Sequence, residues 1–142
     1  MTMSNAAEEN FFQLLFQAAA WTNVATAAGT IHYLSLHTAN PAESGTQLTN
    51  EIGYTNYARV AVTRNGTNWG VTPGDPTVAA NLLAFVFPTC GATPGTATHF
   101  GIGTLVSGAG ELLVYGALTA SLAISSGITP RFDTNQLQIR ID

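Results

Sequence analysis

The chain has 142 residues, of which 8% are charged and 46% are hydrophobic, with a formal net charge of -4. An average soluble domain carries about 25% charged residues, so uncharged polar residues and glycine have replaced charge here. Disorder requires high net charge together with few apolar residues, and this composition meets neither condition. The sequence therefore predicts a folded chain, large enough to bury a core without disulfides or a metal.

The basic residues of the sequence are all arginines. The sequence contains no lysine, and its basic residues are Arg59, Arg64, Arg131 and Arg140. Lysine and glutamate are depleted where partners cover a protein surface, so much of this surface is predicted to be covered. The basic residues form no cluster in sequence, which argues against nucleic acid as a partner.

The sequence gives no sign of export or membrane insertion. Its first ten residues contain no Lys or Arg, unlike a signal peptide, and no apolar run approaches the ~20 residues that span a bilayer. Cys90 is the only cysteine, which excludes an internal disulfide and a cysteine-based zinc site and favours a small buried thiol. We expect a protein without a membrane partner that stays in the cytoplasm until it is assembled.

One helix is predicted, from Asn5 to about Ala20. Asn5 can cap it, and Glu8 stands three residues later, the spacing of a capping box. Apolar residues cover more than one face, so one side is expected to meet the chain's own sheet and another a neighbouring subunit; a wide core helix is the alternative. The residues predicted to contact a partner are Phe11, Phe12, Phe16, Trp21 and Trp69. Phe12→Asp or Phe16→Asp is expected to weaken assembly, because a buried unpaired carboxylate is unfavourable.

After Gly29 the pattern changes to short extended segments separated by Gly, Pro and Asn. Asn65-Gly66 is a typical type I′ turn sequence, so the strands on either side of it are predicted to pair. The predicted strands are Ile31–His37, Tyr57–Arg64, Asn68–Val71, Leu82–Phe87, Thr98–Gly103, Leu112–Ser121 and Leu137–Ile141.

Many short strands without helices between them indicate a mainly β chain. We predict one domain over residues 1–142, with an N-terminal helical arm at 1–28 and an antiparallel, jelly-roll-like β-sandwich at 29–142. A small barrel is the competing architecture.

The residues that could carry chemistry are sparse. His32 and His37 are five positions apart on one predicted strand and face opposite sides, so they cannot bind one metal together. The carboxylates form no close pair in sequence for general acid–base catalysis. The glycines at 101–103 and 108–110 do not open a helix as phosphate-binding glycines do, and are interpreted as bends and a tight turn. The sequence predicts no metal, no cofactor and no enzymatic activity.

Aromatic side chains on a sandwich can form a platform on which sugars stack. The candidates here are scattered along the sequence, so core or interface contacts are favoured and glycan binding is the alternative. They are Trp21, Tyr54, Tyr57, Trp69 and Tyr115.

Several blocks of the sequence resemble a widespread family of small tailed-phage virion proteins, often labelled tail-fibre proteins. The first block is Leu34-Ser35-Leu36-His37-Thr38-Ala39-Asn40-Pro41, followed by Asn50-Glu51 and Tyr54-Thr55-Asn56-Tyr57-Ala58-Arg59-Val60-Ala61-Val62. The later blocks are Thr98-His99-Phe100-Gly101-Ile102-Gly103, Gly108-Ala109-Gly110, Leu118-Thr119 and Gly127-Ile128-Thr129-Pro130. The likeness spans nearly the whole chain.

The resemblance implies a structural protein of a bacteriophage particle. A fibre needs a long shaft, and the chain has neither heptads nor shaft repeats. We therefore predict a capsid decoration, or cement, protein on the outer capsid, as a dimer or trimer that bridges subunits of the major capsid protein. The alternatives are a tail-tip or tail-fibre-associated subunit and a glycan-binding host-recognition module.

Overall fold

A computed structural model describes residues 2–17, 20–21, 24 and 31–141, with backbone alone at 12–16 and 141. In chain order the elements are β1 (Thr2–Met3), α1 (Asn5–Gln17), β2 (Ile31–His37), β3 (Val60–Thr63), β4 (Trp69–Thr72), β5 (Thr77–Asn81), β6 (Phe85–Val86), β7 (Gly95–Gly103), β8 (Leu112–Ile124), β9 (Arg131–Phe132) and β10 (Gln138–Ile141).

The strands form antiparallel sheets. A five-stranded sheet has the order β1-β8-β7-β2-β3, a three-stranded sheet has the order β10-β5-β4, and β6 pairs with β9. The predicted mainly β class with antiparallel sheets and an N-terminal helix is therefore confirmed. The jelly-roll connectivity and the division at residue 28 stay predictions, and residues 25–28 lie outside the described part of the chain.

The inner face of the five-stranded sheet packs against the two smaller sheets. Leu34 and Leu36 of β2 point into this core, where they meet Phe85 and Phe87 around β6 and Leu137 before β10. Alternation along β2 explains the arrangement, because every second side chain of a strand faces the same side. The apolar contact between layers gives a sandwich-like core.

The outer face of the same sheet is covered by α1 and by two loops. Ala7 of α1 packs with Trp21 and with Leu113 of β8 in a second, smaller apolar cluster. Beside this cluster the face is polar: His37, on the outer side of β2, contacts the carbonyl oxygen of Thr49 in the loop that follows β2. One sheet therefore separates an apolar layer from a mixed one.

The start of α1 differs from the prediction. Ser4 caps the helix, because its Oγ accepts a hydrogen bond from the backbone N–H of Ala7 at 3.2 Å. Asn5 lies in the first turn and donates its backbone N–H to the carbonyl oxygen of Glu43, so the predicted Asn5 cap is wrong. The helix is described to Gln17, and the residues 18–19 near its predicted end lie outside the described part.

The predicted pairing across Asn65-Gly66 is also wrong. β3 pairs with β2 in the five-stranded sheet, whereas β4 pairs with β5 in the three-stranded sheet. Neither residue has the positive φ of a type I′ turn; instead, Asn65 Oδ1 accepts the backbone N–H groups of Thr67 and Asn68 at 3.1 and 2.9 Å. This side-chain turn carries the chain from one sheet to the other.

Candidate interaction surfaces

The predicted partner contacts lie in different surroundings. Phe11 is exposed, whereas Trp21 is buried and donates its indole N–H to the carboxylate of Glu111, 3.2 Å from Oε1. Trp69 is half-buried and meets Phe85 edge to face, with ring centroids 5.2 Å apart. The side chains of Phe12 and Phe16 lie outside the described part. The contact of these residues with a partner stays a prediction.

Phe11, Trp21 and Trp69 line one open apolar cleft of about 790 Å³ between α1 and the edges of two sheets. Its polar lining includes His32, which burial and the nearby Arg64 guanidinium hold at a pKa of about 4, so the ring is neutral at neutral pH. Within the described residues the buried His32 Nε2 has no hydrogen-bond partner. The cleft is thus mainly apolar, and its described lining includes the uncharged His32 ring and Arg64.

A buried ion pair on the outer face connects three of the sequence blocks. Arg59 donates Nε and Nη2 to the two carboxylate oxygens of Glu51, both at 2.6 Å. The same guanidinium donates to the carbonyl oxygens of Leu105 at 2.9 Å and Gly108 at 2.7 Å. Tyr57 donates its hydroxyl to Glu51 at 2.9 Å, and burial raises the pKa of this phenol. Arg59 therefore joins the Glu51 carboxylate to the loop between β7 and β8.

A second polar group fixes the same loop. Gln47, which is fully buried, accepts the backbone N–H of Leu105 at 2.9 Å and donates to the carbonyl oxygen of Tyr33 at 3.1 Å. Its side chain fills the space over Gly103 and Gly110, where an added Cβ would come within 2.2 Å of it. Glycine at these two positions is required by this close approach.

The loops held in this way expose aliphatic side chains. Leu48, Leu105 and Val106 are 56%, 43% and 63% exposed. We refer to these three side chains as the outer-loop patch. Gly108, at φ +79°, makes the tight turn that was predicted for 108–110. The patch therefore sits on backbone that buried polar side chains hold in place.

The His37 ring and the Cys90 thiol have structural partners. The neutral His37 ring donates from Nδ1 to the Thr49 carbonyl oxygen, and its Nε2 lies 2.9 Å from Ser35 Oγ; burial lowers the pKa of the ring. Within the described residues, no three His, Cys, Asp or Glu side chains are grouped as metal ligands would be. Cys90 is buried, as predicted, and its Sγ lies 3.4 Å from the Thr93 carbonyl oxygen.

The aromatic candidates for sugar stacking do not form an exposed platform. Tyr54 and Tyr57 pack edge to face at 5.3 Å, and the Tyr54 hydroxyl donates to the Pro88 carbonyl oxygen at 2.8 Å. Tyr115 is buried, and the two tryptophans are buried or half-buried as described above.

Among the described residues, no helix is long and apolar enough to cross a lipid bilayer.

The chain is a mainly β protein with antiparallel sheets, buried polar groups under its loops and exposed aliphatic side chains on them. The chain belongs to the family of the podophage GP4 fiber I protein gp80, whose family model matches residues 2–140. The resemblance to small phage virion proteins with a tail-fibre label is therefore confirmed. No curated protein matches the chain significantly.

Proposed function

We propose that the chain is a structural, non-enzymatic subunit of the fibre apparatus of a phage particle. Membership of the fiber I protein family supports the fibre assignment. The observation that carries the mode of action is the outer-loop patch, because exposed aliphatic side chains on a braced surface favour contact with protein. The charged groups beneath the patch neutralise each other in the Glu51–Arg59 pair and are not presented to a substrate.

Capsid decoration is the second candidate. It is favoured by the compact layered arrangement of residues 31–141, whose sheets pack around a common core and show no shaft-like extension. In this case a dimer or trimer on the outer capsid would bridge neighbouring major capsid protein subunits. Each contact would be weak, but a bridging copy makes its second contact intramolecular, so the contacts reinforce each other.

Copy number and position separate the two candidates. Quantitative mass spectrometry of purified particles gives the copies of this chain relative to the major capsid protein, and gold-labelled antibody shows head or tail. A few copies at the tail are expected for a fibre subunit, whereas hundreds of copies over the head would establish the decoration protein instead. Absence of the chain from purified particles would contradict both.

The composition also predicts how the contact responds to salt. Few ion pairs are available to a chain with four arginines and eight acidic residues, so apolar burial and hydrogen bonds must dominate the contact. Binding of added protein to particles that lack it should change little from low to near-molar sodium chloride, as read by sedimentation. A steep loss of binding would assign the attachment to exposed charges, since salt screens these.

A further inference from the structure

The outer-loop patch is carried by two loops that are bonded to each other and to the sheet. The loop from Thr104 to Glu111 is closed by the Thr104 N–H, which donates to the Glu111 carbonyl oxygen at 3.2 Å. The loop that carries Leu48 is closed by the Thr49 N–H, which donates to the Thr46 carbonyl oxygen at 3.0 Å. The Gln47 N–H joins the two loops through the Gly110 carbonyl oxygen at 2.9 Å.

The polar side chains that brace these loops lose solvation free energy on burial. The apolar core does not need them in order to form. Desolvation makes a buried ion pair weak evidence of stabilisation, so its effect on geometry is the better explanation of its presence. Here the Arg59 guanidinium holds the carbonyl oxygens of Leu105 and Gly108, on either side of Val106. The backbone that displays Val106 is therefore fixed before any partner arrives, which lowers the entropy lost on binding.

The chemistry of the patch limits what can bind it. Its side chains are aliphatic, so they offer neither ring faces for sugars nor charges for lipid headgroups or nucleic acid. The charged groups that brace these loops, Arg59 and Glu51, are paired with each other, and their side chains are only 2% and 10% exposed. The complementary surface is therefore an uncharged, apolar protein surface.

The size of the patch helps to decide whether its partner is a second copy of the chain or a different protein. Stable protein dimers bury about 800 Å² on each partner, and three partly exposed aliphatic side chains supply only a fraction of this. Such a contact gains strength where many copies are held together on one particle, as in a virion. This favours another particle protein over an isolated pair of copies.

We propose that the outer-loop patch is the surface by which the chain docks on an apolar, uncharged surface of another protein of the particle. The proposal rests on the assignment of the chain to a virion. Leu48, Leu105 and Val106 make the contact, and Arg59 and Gln47 are positioning residues that shape the loops.

The test uses phage that lacks this gene and is supplied with the protein from a plasmid. Val106→Asp and Leu48→Asp place a carboxylate in the proposed contact, and Val86→Asp is the matched control. Val86 is 48% exposed on β6, which lies across the core from the five-stranded sheet. Copies per purified particle are measured by mass spectrometry, and thermal unfolding and sedimentation of each purified variant report its fold and oligomeric state.

We expect Val106→Asp and Leu48→Asp to lower the copies per particle at least about tenfold, because an unpaired carboxylate is strongly disfavoured in an apolar contact. Val86→Asp should be incorporated at the wild-type level, and all three variants should keep the wild-type melting temperature and oligomeric state. Wild-type incorporation of both patch variants, or an equal loss with Val86→Asp, would overturn the docking proposal while leaving the virion assignment intact. A changed oligomeric state in the patch variants would overturn it too, by making the patch a self-contact. If the wild-type protein itself is missing from particles, the proposed function fails instead.

Discussion

The inner and outer faces of the five-stranded sheet begin from the same strands but are stabilised differently. On the inner side, Leu34 and Leu36 join a continuous apolar core between layers. On the outer side, their neighbours Ser35 and His37 belong to a layer of hydrogen bonds that holds the loops. Apolar packing on the inner face stabilises the fold, whereas hydrogen bonds on the outer face fix the shape of the surface loops.

The largest expected effect concerns the buried ion pair of the outer face. Arg59→Met should lower the free energy of unfolding by about 4 kcal/mol, because it removes the cation paired with the Glu51 carboxylate, whose side chain is only 10% exposed. Arg131→Met is the matched control: Arg131 and Asp133 form an exposed pair at 3.0 Å, and its loss should cost less than about 0.5 kcal/mol. Urea unfolding measures both. Equal losses would show that the outer-face pair is screened by solvent like a surface pair.

Adjacent residues of β2 give the sharpest contrast between the two faces. Leu36→Ala should cost about 3 kcal/mol, because it opens a cavity in the apolar core. Ser35→Ala should cost about 1 kcal/mol, because it removes the hydroxyl beside His37 Nε2. Denaturant unfolding of the two variants is the measurement, and a larger loss for Ser35→Ala would reverse the proposed division of roles.

Gly101 tests how tightly the outer layer is packed. A Cβ at this position would lie 2.6 Å from His37 Nε2, 2.7 Å from Leu112 Cδ1 and 2.8 Å from Ser35 Oγ. Gly101→Ala should therefore cost about 2 kcal/mol through overpacking. Gly53→Ala is the control, because nothing lies within 4 Å of the Cβ position there. Differential scanning calorimetry should separate the two, and an unchanged melting temperature for Gly101→Ala would mean that the layer can relax.

The smallest expected effect is a pH dependence to which each face contributes one histidine. Burial lowers the pKa of His37 on the outer face and, with Arg64, lowers that of His32 at the cleft to about 4. Below the unfolded value of 6.5 the unfolded chain binds more protons, so the free energy of unfolding falls as the pH drops towards 4. His32→Leu should remove about 1 kcal/mol of this loss between about pH 7 and pH 5, since partial exposure of the ring reduces the full linkage. Urea unfolding at the two pH values measures this difference. If His32→Leu loses as much free energy of unfolding between the two pH values as the wild type, the protonation belongs to another group.

The inner face was largely predictable from the sequence. Alternating apolar residues predict β2 at Ile31–His37, and the structure has it at the same residues. By contrast, Thr77–Asn81 was not predicted, because its small side chains give a weak pattern. It forms a central strand because β4 and β10 pair with its two edges.

The outer layer could not be derived from local patterns. Arg59 and Gly108 are 49 positions apart, so no sequence window contains their hydrogen bond. Gln47 follows turn residues and would be expected at the surface, yet it is fully buried between two glycines. The family resemblance contains Arg59 and the 108–110 turn in separate blocks, but only the folded chain shows that they touch.

The buried thiol of Cys90 can report how often the surrounding structure opens. Cys90 is shut inside the core while the backbone N–H of Gly127 donates to its carbonyl oxygen at 2.9 Å, so a thiol-reactive dye can reach the sulfur only after this region separates. With no other cysteine in the sequence, every labelling event reports that one opening. The labelling half-life of free protein, compared with that of protein on intact particles, would measure how far assembly restrains the fold.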